Sequence, residues 1–153
     1  MTDDASERYF QTRIVDGLYR EAMSLAEAAR AYFDQGGRRD REDLDPPTRV
    51  AFSCESLKVT TRLMHVIAWI LTQRAVEAGE LAWQEACDPV RRLGLSPDSE
   101  DAAIRLLPDR AQRLVHASLD LHRRVARIDA MADAVVPDMG PVQALQARLN
   151  GVF

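Results

Sequence analysis

The stretch from Val50 to Glu80 predicts a long helix with apolar residues on two opposite sides. At 100° per residue, one set of mostly apolar positions falls on a single face. These positions are Val50, Cys54, Leu57, Thr61, Met64, Ala68, Leu71 and Ala75. A second apolar set, roughly opposite the first, is Phe52, Val59, Leu63, Val66 and Ile70. A surface helix normally has one apolar stripe, so this helix is expected in the middle of a bundle, or shared between two copies.

A narrow polar strip remains on this helix. Its residues are Glu55, Lys58, Arg62, His65, Trp69 and Gln73. Trp69 lies one turn from His65 and from Gln73, where an exposed Trp would anchor a protein interface. The candidate partner-binding residues of this strip are Arg62, His65, Trp69 and Gln73. The competing interpretation, which we favour, is that a short helix over 80–93 folds over Trp69, because Trp is mostly buried.

Two further long helices follow from the same periodicity. The first is predicted over 6–34 and ends before Gly36 and Gly37, because glycine supplies the left-handed conformation common at helix C-termini. Its apolar stripe is Phe10, Ile14, Leu18, Ala22, Leu25, Ala29 and Tyr32. The other begins at Pro108 and repeats apolar residues at near-heptad spacing, which lets helices pack at about 20°. Its repeating positions are Ala111, Leu114, Ser118, Leu121, Val125, Ile128, Ala132 and Val135.

Shorter signals complete the predicted fold. Asp45 is expected to cap the middle helix, which stops at Gly79. A shorter helix is expected over 80–93, and a helical turn over 101–106. The expected inward residues of the 80–93 helix are Leu81, Trp83, Ala86 and Val90. Because no strand signal is present, the predicted fold class is all-α: an antiparallel three-helix bundle with an additional short helix.

The chain is expected to divide into a bundle domain over 1–136 and a C-terminal tail over 137–153. Pro137, Gly140 and Pro141 interrupt the last helix, and a short amphipathic stretch follows. The apolar residues of this stretch are Val142, Leu145, Leu149, Val152 and Phe153. The tail either folds back on the bundle or docks as a helix into a groove of a partner protein.

A family resemblance rests on the block Arg62 to Glu80, RLMHVIAWILTQRAVEAGE, and on RRVARID at Arg123 to Asp129. From about Ile14 to Asp129 the chain resembles the family of the regulator of CtrA degradation (RcdA). Members of that family are small helical adaptors of bacterial cell-cycle control that help deliver substrates to the ATP-dependent protease ClpXP. The resemblance implies a helical fold and protein partners: a protease complex, other adaptors and regulatory substrates.

Charge and composition narrow the classes of partner. A chain of 153 residues can bury about 70% of its unfolded surface without disulfides or metals. The formal net charge of -4 disfavours a nucleic-acid partner. One basic cluster lies along the last long helix, interrupted by Asp109 and by Asp120, which is spaced to pair with its arginines. The cluster is Arg113, His116, Arg123, Arg124 and Arg127. A solvated face is the ordinary interpretation, and an anionic protein ranks before DNA as a partner of Arg123, Arg124 and Arg127.

No residue pattern indicates catalysis, a metal site or a cofactor site. His65, His116 and His122 lack the spacing of metal ligands, and the chain has no nucleophile elbow and no glycine-rich phosphate loop. We therefore expect no enzyme activity, no cofactor and no metal. Cys54 and Cys87 are expected to be buried thiols, because free cysteine is commonly a core residue.

The expected protein is a cytoplasmic, non-enzymatic adaptor. Its acidic start resembles no secretion signal, and its apolar runs are too short to cross a membrane. A homodimer that forms through apolar helix surface is also expected. Two alternatives stay open: a DNA-associated regulator, which needs a free arginine face, and a small-molecule sensor, which needs an apolar cavity between the helices.

Overall fold

The computed structural model describes the backbone of residues 3–134 and the side chains of residues 5–131. Its helices are α1 (Asp3–Ala31), α2 (Arg38–Glu42), α3 (Pro46–Glu77), α4 (Trp83–Ala86), α5 (Asp101–Arg105) and α6 (Asp109–Ala134). A π-helical turn (Tyr32–Gly36) follows α1, and a 3-10 turn (Pro89–Arg91) follows α4. No strand occurs in this part of the chain, and the predicted all-α class is confirmed.

The three long helices α1, α3 and α6 form the bundle, and α1 runs antiparallel to both of the others. Residues near the start of α1 meet residues near the ends of α3 and α6, and residues near its end meet their starts. Two contacts come from α1 itself, Asp16 to Arg74 of α3 and Glu21 to Arg124 of α6. Two come from the π-helical turn that follows it, Phe33 to Phe52 of α3 and Tyr32 to Arg110 of α6.

In contrast, α3 and α6 run in the same direction. The Arg62 Nη1 atom donates to Ser118 Oγ at 3.2 Å, and two turns later in α3 Trp69 Nε1 donates to Asp129 Oδ1 at 3.0 Å. The expectation of antiparallel packing thus holds for α1 against each partner and not for this pair. Parallel neighbours need a connection that returns along their length, and residues 78–108, called the crossover below, supply it.

Both ends of α3 lie close to their sequence signals. Asp45 precedes the helix in an extended conformation, and its carboxylate accepts a hydrogen bond from the Thr48 hydroxyl at 2.6 Å. That hydrogen bond lowers the pKa of Asp45 below its usual value. After the last turn of α3, Gly79 has a φ of 76°, the left-handed conformation that glycine adopts without a Cβ clash.

The core lies where α1, α3 and α6 meet. Its buried residues on the three helices are Val15, Leu18, Ala22, Ala29, Phe52, Val59, Leu63, Val66, Trp69, Ile70, Ala111, Leu114, Val115, Leu121 and Val125. The near-heptad stripe predicted for α6 is therefore inward from Ala111 to Val125. The stripe predicted for α1 is wrong at Phe10 and Ile14, which are exposed. Asp16 already meets Arg74 near the end of α3, so the first turns of α1 project beyond that helix.

Only one of the two apolar faces of α3 lies in the core. The face with Phe52, Val59 and Ile70 is buried, whereas the face with Val50 and Leu57 is exposed. Its thiol, Cys54, is exposed too, which corrects the expectation of a buried cysteine. The second packing surface of α3 is the polar strip, which the crossover and α6 cover. The alternative in which α3 is shared between two copies therefore remains open.

The crossover contains less helix than predicted. The helix expected over 80–93 is reduced to the single turn α4 and a 3-10 turn, because Pro89 interrupts it. Ala86 is buried as expected, but Trp83 and Val90 are exposed, since one turn cannot present a continuous apolar stripe. The helical turn predicted over 101–106 is present as α5.

We expect Leu121→Ala to lower the free energy of unfolding by about 2–5 kcal/mol, because it leaves a cavity in the core. Leu121 is 0% exposed at the centre of the bundle, whereas Leu106 is 64% exposed. The matched control Leu106→Ala is expected to change stability by less than about 0.5 kcal/mol. Urea denaturation followed by circular dichroism measures both, and equal effects would contradict this assignment of the core.

Candidate partner-binding surface

Arg62 is the most buried polar side chain of the strip, with 0% of its surface exposed. It donates two hydrogen bonds to serine hydroxyls in the middle of the crossover. Nε donates to Ser96 Oγ at 2.9 Å, and Nη2 donates to Ser99 Oγ at 2.5 Å. Nη2 also donates to the Pro97 carbonyl at 2.7 Å, and Nη1 donates to Ser118 of α6. One guanidinium therefore joins α3, α6 and the crossover.

The charge of Arg62 is balanced through a second buried residue of α3. Ser99 donates to Glu55 Oε2 at 2.6 Å, so its hydroxyl links the guanidinium to this carboxylate. Lys58 lies 3.1 Å from the other carboxylate oxygen of Glu55. Burial lowers the pKa of Arg62 from its usual value, and the charges of Glu55 and Asp98 oppose that change. The charged network is satisfied, as a buried ionic group requires.

Gly94 of the crossover lies between two histidines. The His122 ring on α6 donates from Nε2 to the Gly94 carbonyl at 2.7 Å. On the other side, a Cβ at position 94 would lie 2.6 Å from Cγ of the His65 ring on α3. His65 in turn donates from Nδ1 to the Leu95 carbonyl at 2.8 Å. Only glycine lets the crossover backbone come this close to α3.

Trp69 is buried, although the segment expected to fold over it, 80–93, does not form one helix. Its indole nitrogen donates to Asp129 of α6, and the Asp129 carboxylate also accepts from Arg92 Nε at 2.9 Å. Arg92 Nη2 adds a hydrogen bond to the Asp129 carbonyl at 3.0 Å. This group of Trp69, Asp129 and Arg92, called the Asp129 cluster below, holds the crossover at Arg92, whereas Arg62 holds it at Ser99.

The polar strip is therefore not an open partner surface, because the candidate partner-binding residues Arg62 and Trp69 are buried. Arg62 and Trp69 bind the chain's own crossover and α6, while His65 and Gln73 are half-buried. The physical reason is that two sides of α3 are apolar, so its polar side is left to bind a segment that offers hydrogen-bond acceptors. Two opposite charges on one face, Glu55 and Arg62 two turns apart, were the signal in the sequence for a buried network.

What remains open beside the strip is a groove of about 680 Å³ between α3 and the crossover. Its lining includes His65, Ala68 and Thr72 from α3, and Val90 and Arg91 from the crossover. Val90 is 91% exposed, and the side chain of Arg91 makes no hydrogen bond or ion pair with the described residues. An apolar side chain beside a free guanidinium can bind a peptide that carries an apolar residue next to a carboxylate. Sequence reasoning missed Arg91 and placed Val90 inward.

The arginines of α6 divide into two groups. Arg124 is held by Glu21 of α1 and by Asp120, whose Oδ2 lies 3.0 Å from Nε. The predicted pairing of Asp120 thus forms with Arg124. Arg123 and Arg127 are exposed and have no ion-pair partner among the described residues, so they are free to meet an anionic surface.

The remaining candidates lie in the tail. Val142, Leu145, Leu149 and Phe153 fall outside the described residues. In the part of the chain that is described, no group of three or more His, Cys, Asp or Glu side chains is placed to hold a metal ion. No helix there combines the length and apolar character that crossing a membrane requires.

Comparison with known proteins decides the family. A family model described as a protein of unknown function, DUF1465, matches residues 6–153. The crystal structure of RcdA from Caulobacter crescentus CB15 is 32% identical, with a TM-score of 0.64, over 77% of this chain and 89% of that chain. The chain belongs to the RcdA family. No curated protein matches the chain. The predicted resemblance to the RcdA family is thus confirmed.

We expect Arg62→Met to lower the free energy of unfolding by about 3 kcal/mol, because it removes one partner of a buried charged network. Arg62→Lys should lose a similar amount, since an ammonium cannot replace the forked guanidinium. The control Arg123→Met removes an exposed, unpaired arginine and should be neutral. Denaturation measures stability, and amide hydrogen exchange of residues 94–100 should accelerate only in the Arg62 variants. An unchanged exchange rate would show that Arg62 does not hold the crossover.

Gly94→Ala should destabilise the chain by roughly 1–3 kcal/mol, because the added methyl overlaps the His65 ring. Combining it with His65→Ala removes that overlap, so the double variant should recover part of the loss. A double-mutant cycle in urea measures the coupling between the two positions. Additive effects would mean that the close approach of Gly94 to His65 does not matter for stability.

Proposed function

We propose that this RcdA-family chain is a non-enzymatic adaptor that delivers regulatory substrates to a ClpXP-type protease in bacterial cell-cycle control. The single observation that carries the proposal is the 32% identity to RcdA over 77% of the chain. We place the adaptor in the cytoplasm, where such a protease and its substrates meet. The function needs binding surfaces rather than reactive groups, and two surfaces of suitable kind are present.

The first surface is the groove between α3 and the crossover, with Val90 and Arg91 at its rim. The second is the exposed arginine row of α6, with Arg123 and Arg127. The row lies on a different side of α6 from His122, which binds the crossover, because His122 is about 100° from Arg123 and about 140° from Arg127 around the helix. Two partners can therefore bind the same rigid bundle together, which raises their effective concentration to about the millimolar range for short linkers.

An anionic protein fits the arginine row better than DNA does. The chain carries a net charge of -4, which repels a polyanion at long range. Arg124 is already neutralised by Glu21, and Asp120 lies within the row. A short acidic segment of a protein can avoid Asp120 and still reach Arg123 and Arg127. The tail, through Val142, Leu145, Leu149 and Phe153, is proposed as a further contact with a partner.

The double charge reversal R123E/R127E should reduce the rate of substrate degradation in a reconstituted protease assay by at least fivefold, because it turns attraction for an acidic partner into repulsion. The matched control R38E/R41E makes the same charge change at exposed positions of α2 and should leave the rate unchanged. Equal losses in both variants would indicate a general effect of net charge. Equal rates in all three proteins would remove the arginine row from the proposal.

Deletion of residues 137–153 should leave the helical circular dichroism intact while it weakens delivery of at least one partner. The bundle contacts described above all lie before that segment, so the truncated chain retains its core. The degradation assay compares it with the full-length chain at equal concentration. Unchanged degradation of every substrate tested would exclude a role of the tail in delivery.

A further inference from the structure

Most of the polar lining of the groove between α3 and the crossover is already bonded within the chain. The Trp69 indole donates to Asp129, and the Thr72 hydroxyl donates to the Ala68 carbonyl at 3.0 Å. Arg92 forms its ion pair with Asp129 at 2.9 Å. A ligand could use these groups only by breaking bonds that the fold already makes. The groove therefore offers a ligand the side chains that make no such bonds.

Two of these open side chains are consecutive on the crossover. Val90 is 91% exposed, and the side chain of Arg91 has no hydrogen bond or ion pair with the described residues. Both belong to the 3-10 turn Pro89–Arg91, which Asp88 fixes. The Val90 amide donates to the Asp88 carboxylate at 2.9 Å, and the Arg91 amide donates to the Asp88 carbonyl at 2.8 Å. Because the turn is already fixed, a ligand that binds both side chains does not have to order this backbone.

The α3 wall of the groove adds an apolar surface. Ala68 lines this wall, and its methyl group is exposed. An apolar side chain that enters between Ala68 and Val90 would exchange water for carbon contacts on two sides. The volume of about 680 Å³ lies within the range of about 300–1,000 Å³ that is usual for ligand sites. The groove is thus large enough for a short peptide segment.

Charge restricts the ligand further. The free guanidinium of Arg91 can hold a carboxylate through two parallel hydrogen bonds. Asp88 also lines the groove, so a ligand with several acidic groups would meet repulsion as well as attraction. One carboxylate therefore fits better than a run of acidic residues. Since Val90 and Arg91 are neighbours in the chain, the two ligand groups that meet them should also come from neighbouring residues, about 4 Å apart at Cα.

We propose that this groove binds a segment of a partner protein in which one apolar residue lies directly next to one Asp or Glu. The apolar side chain packs between Ala68 and Val90, and the carboxylate accepts hydrogen bonds from Arg91. The inference rests on the proposed adaptor function and adds the chemistry that one of its surfaces recognises. The groove and the arginine row then bind different kinds of segment, so two partners do not compete for one surface.

Titration with short peptides tests this recognition on the full-length chain. The probe is the tetrapeptide Gly-Leu-Glu-Gly, acetylated and amidated so that the Glu side chain carries its only charge. One matched peptide replaces Glu by Gln, and the other replaces Leu by Ala. In proton–nitrogen NMR spectra, the probe should shift amides at positions 68, 72 and 90–92. Each matched peptide should bind about threefold more weakly or worse, since an exposed ion pair contributes little more. Equal binding of the three peptides, or shifts only elsewhere, would overturn the proposal.

Arg91→Gln tests the assignment of the carboxylate. It should remove the preference for the Glu peptide over the Gln peptide, while the preference for Leu over Ala remains because Ala68 and Val90 are unchanged. The matched control Arg105→Gln removes the same charge from an exposed position of α5 and should keep both preferences. Both variants should keep the wild-type circular dichroism, since both side chains are exposed. An Arg91→Gln chain that still prefers the Glu peptide would contradict the proposed contact.

A further titration distinguishes a partner segment from the chain's own tail as the occupant of the groove. The chain that lacks residues 137–153 should bind the probe with the same affinity as the full-length chain. A gain of tenfold or more on deletion would assign the groove to the tail and overturn the proposal.

These titrations contain no protease and are therefore independent of the degradation assay. Peptide binding as described, together with failed delivery of substrates, would support the groove site and remove the adaptor function. Normal delivery by a chain that does not bind the Glu peptide would leave the adaptor function and overturn the groove site.

Discussion

The fold depends on a buried guanidinium. α3 and α6 run parallel, so a segment as long as the bundle must return between their ends, and between Ala86 and Ile104 none of its side chains is fully buried. Arg62 solves this problem with hydrogen bonds to Ser96, Pro97 and Ser99, and with one to Ser118 of α6. Burying this charge is costly unless its acceptors are in place, so the network selects one path for the crossover. Gly94 and the Asp129 cluster then fix the same path nearer the end of α3.

α3 has three faces, and each lies in a different environment. Its most buried face, around Val59 and Ile70, packs on α1 and supplies the core. Its polar strip holds the crossover and α6, and its last face, with Val50, Leu57, Met64 and Leu71, stays exposed. The long helix is therefore a structural centre rather than a peripheral element. Its polar strip leaves a groove at the edge of the crossover instead of an open binding surface.

Membership of the RcdA family and these surfaces support one view of the protein. A rigid bundle that presents a groove on one side and free arginines on another has the features of a scaffold for other proteins. Its exposed arginines, Arg123 and Arg127, occur in a chain of net negative charge, so the contact proposed for them is local and does not depend on long-range attraction for a polyanion.

The sequence by itself determined what depends on local periodicity and on helix signals. The three long helices, the cap region at Asp45, the stop at Gly79 and the inward stripe of α6 all follow from residues within a few turns of one another. Tertiary structure alone decided the parallel order of α3 and α6, and which apolar face of α3 is buried. Helical periodicity shows that a face is apolar but not which surface covers it. Arg62 illustrates the reason, because its acceptors at positions 96–99 lie more than thirty residues away in the chain.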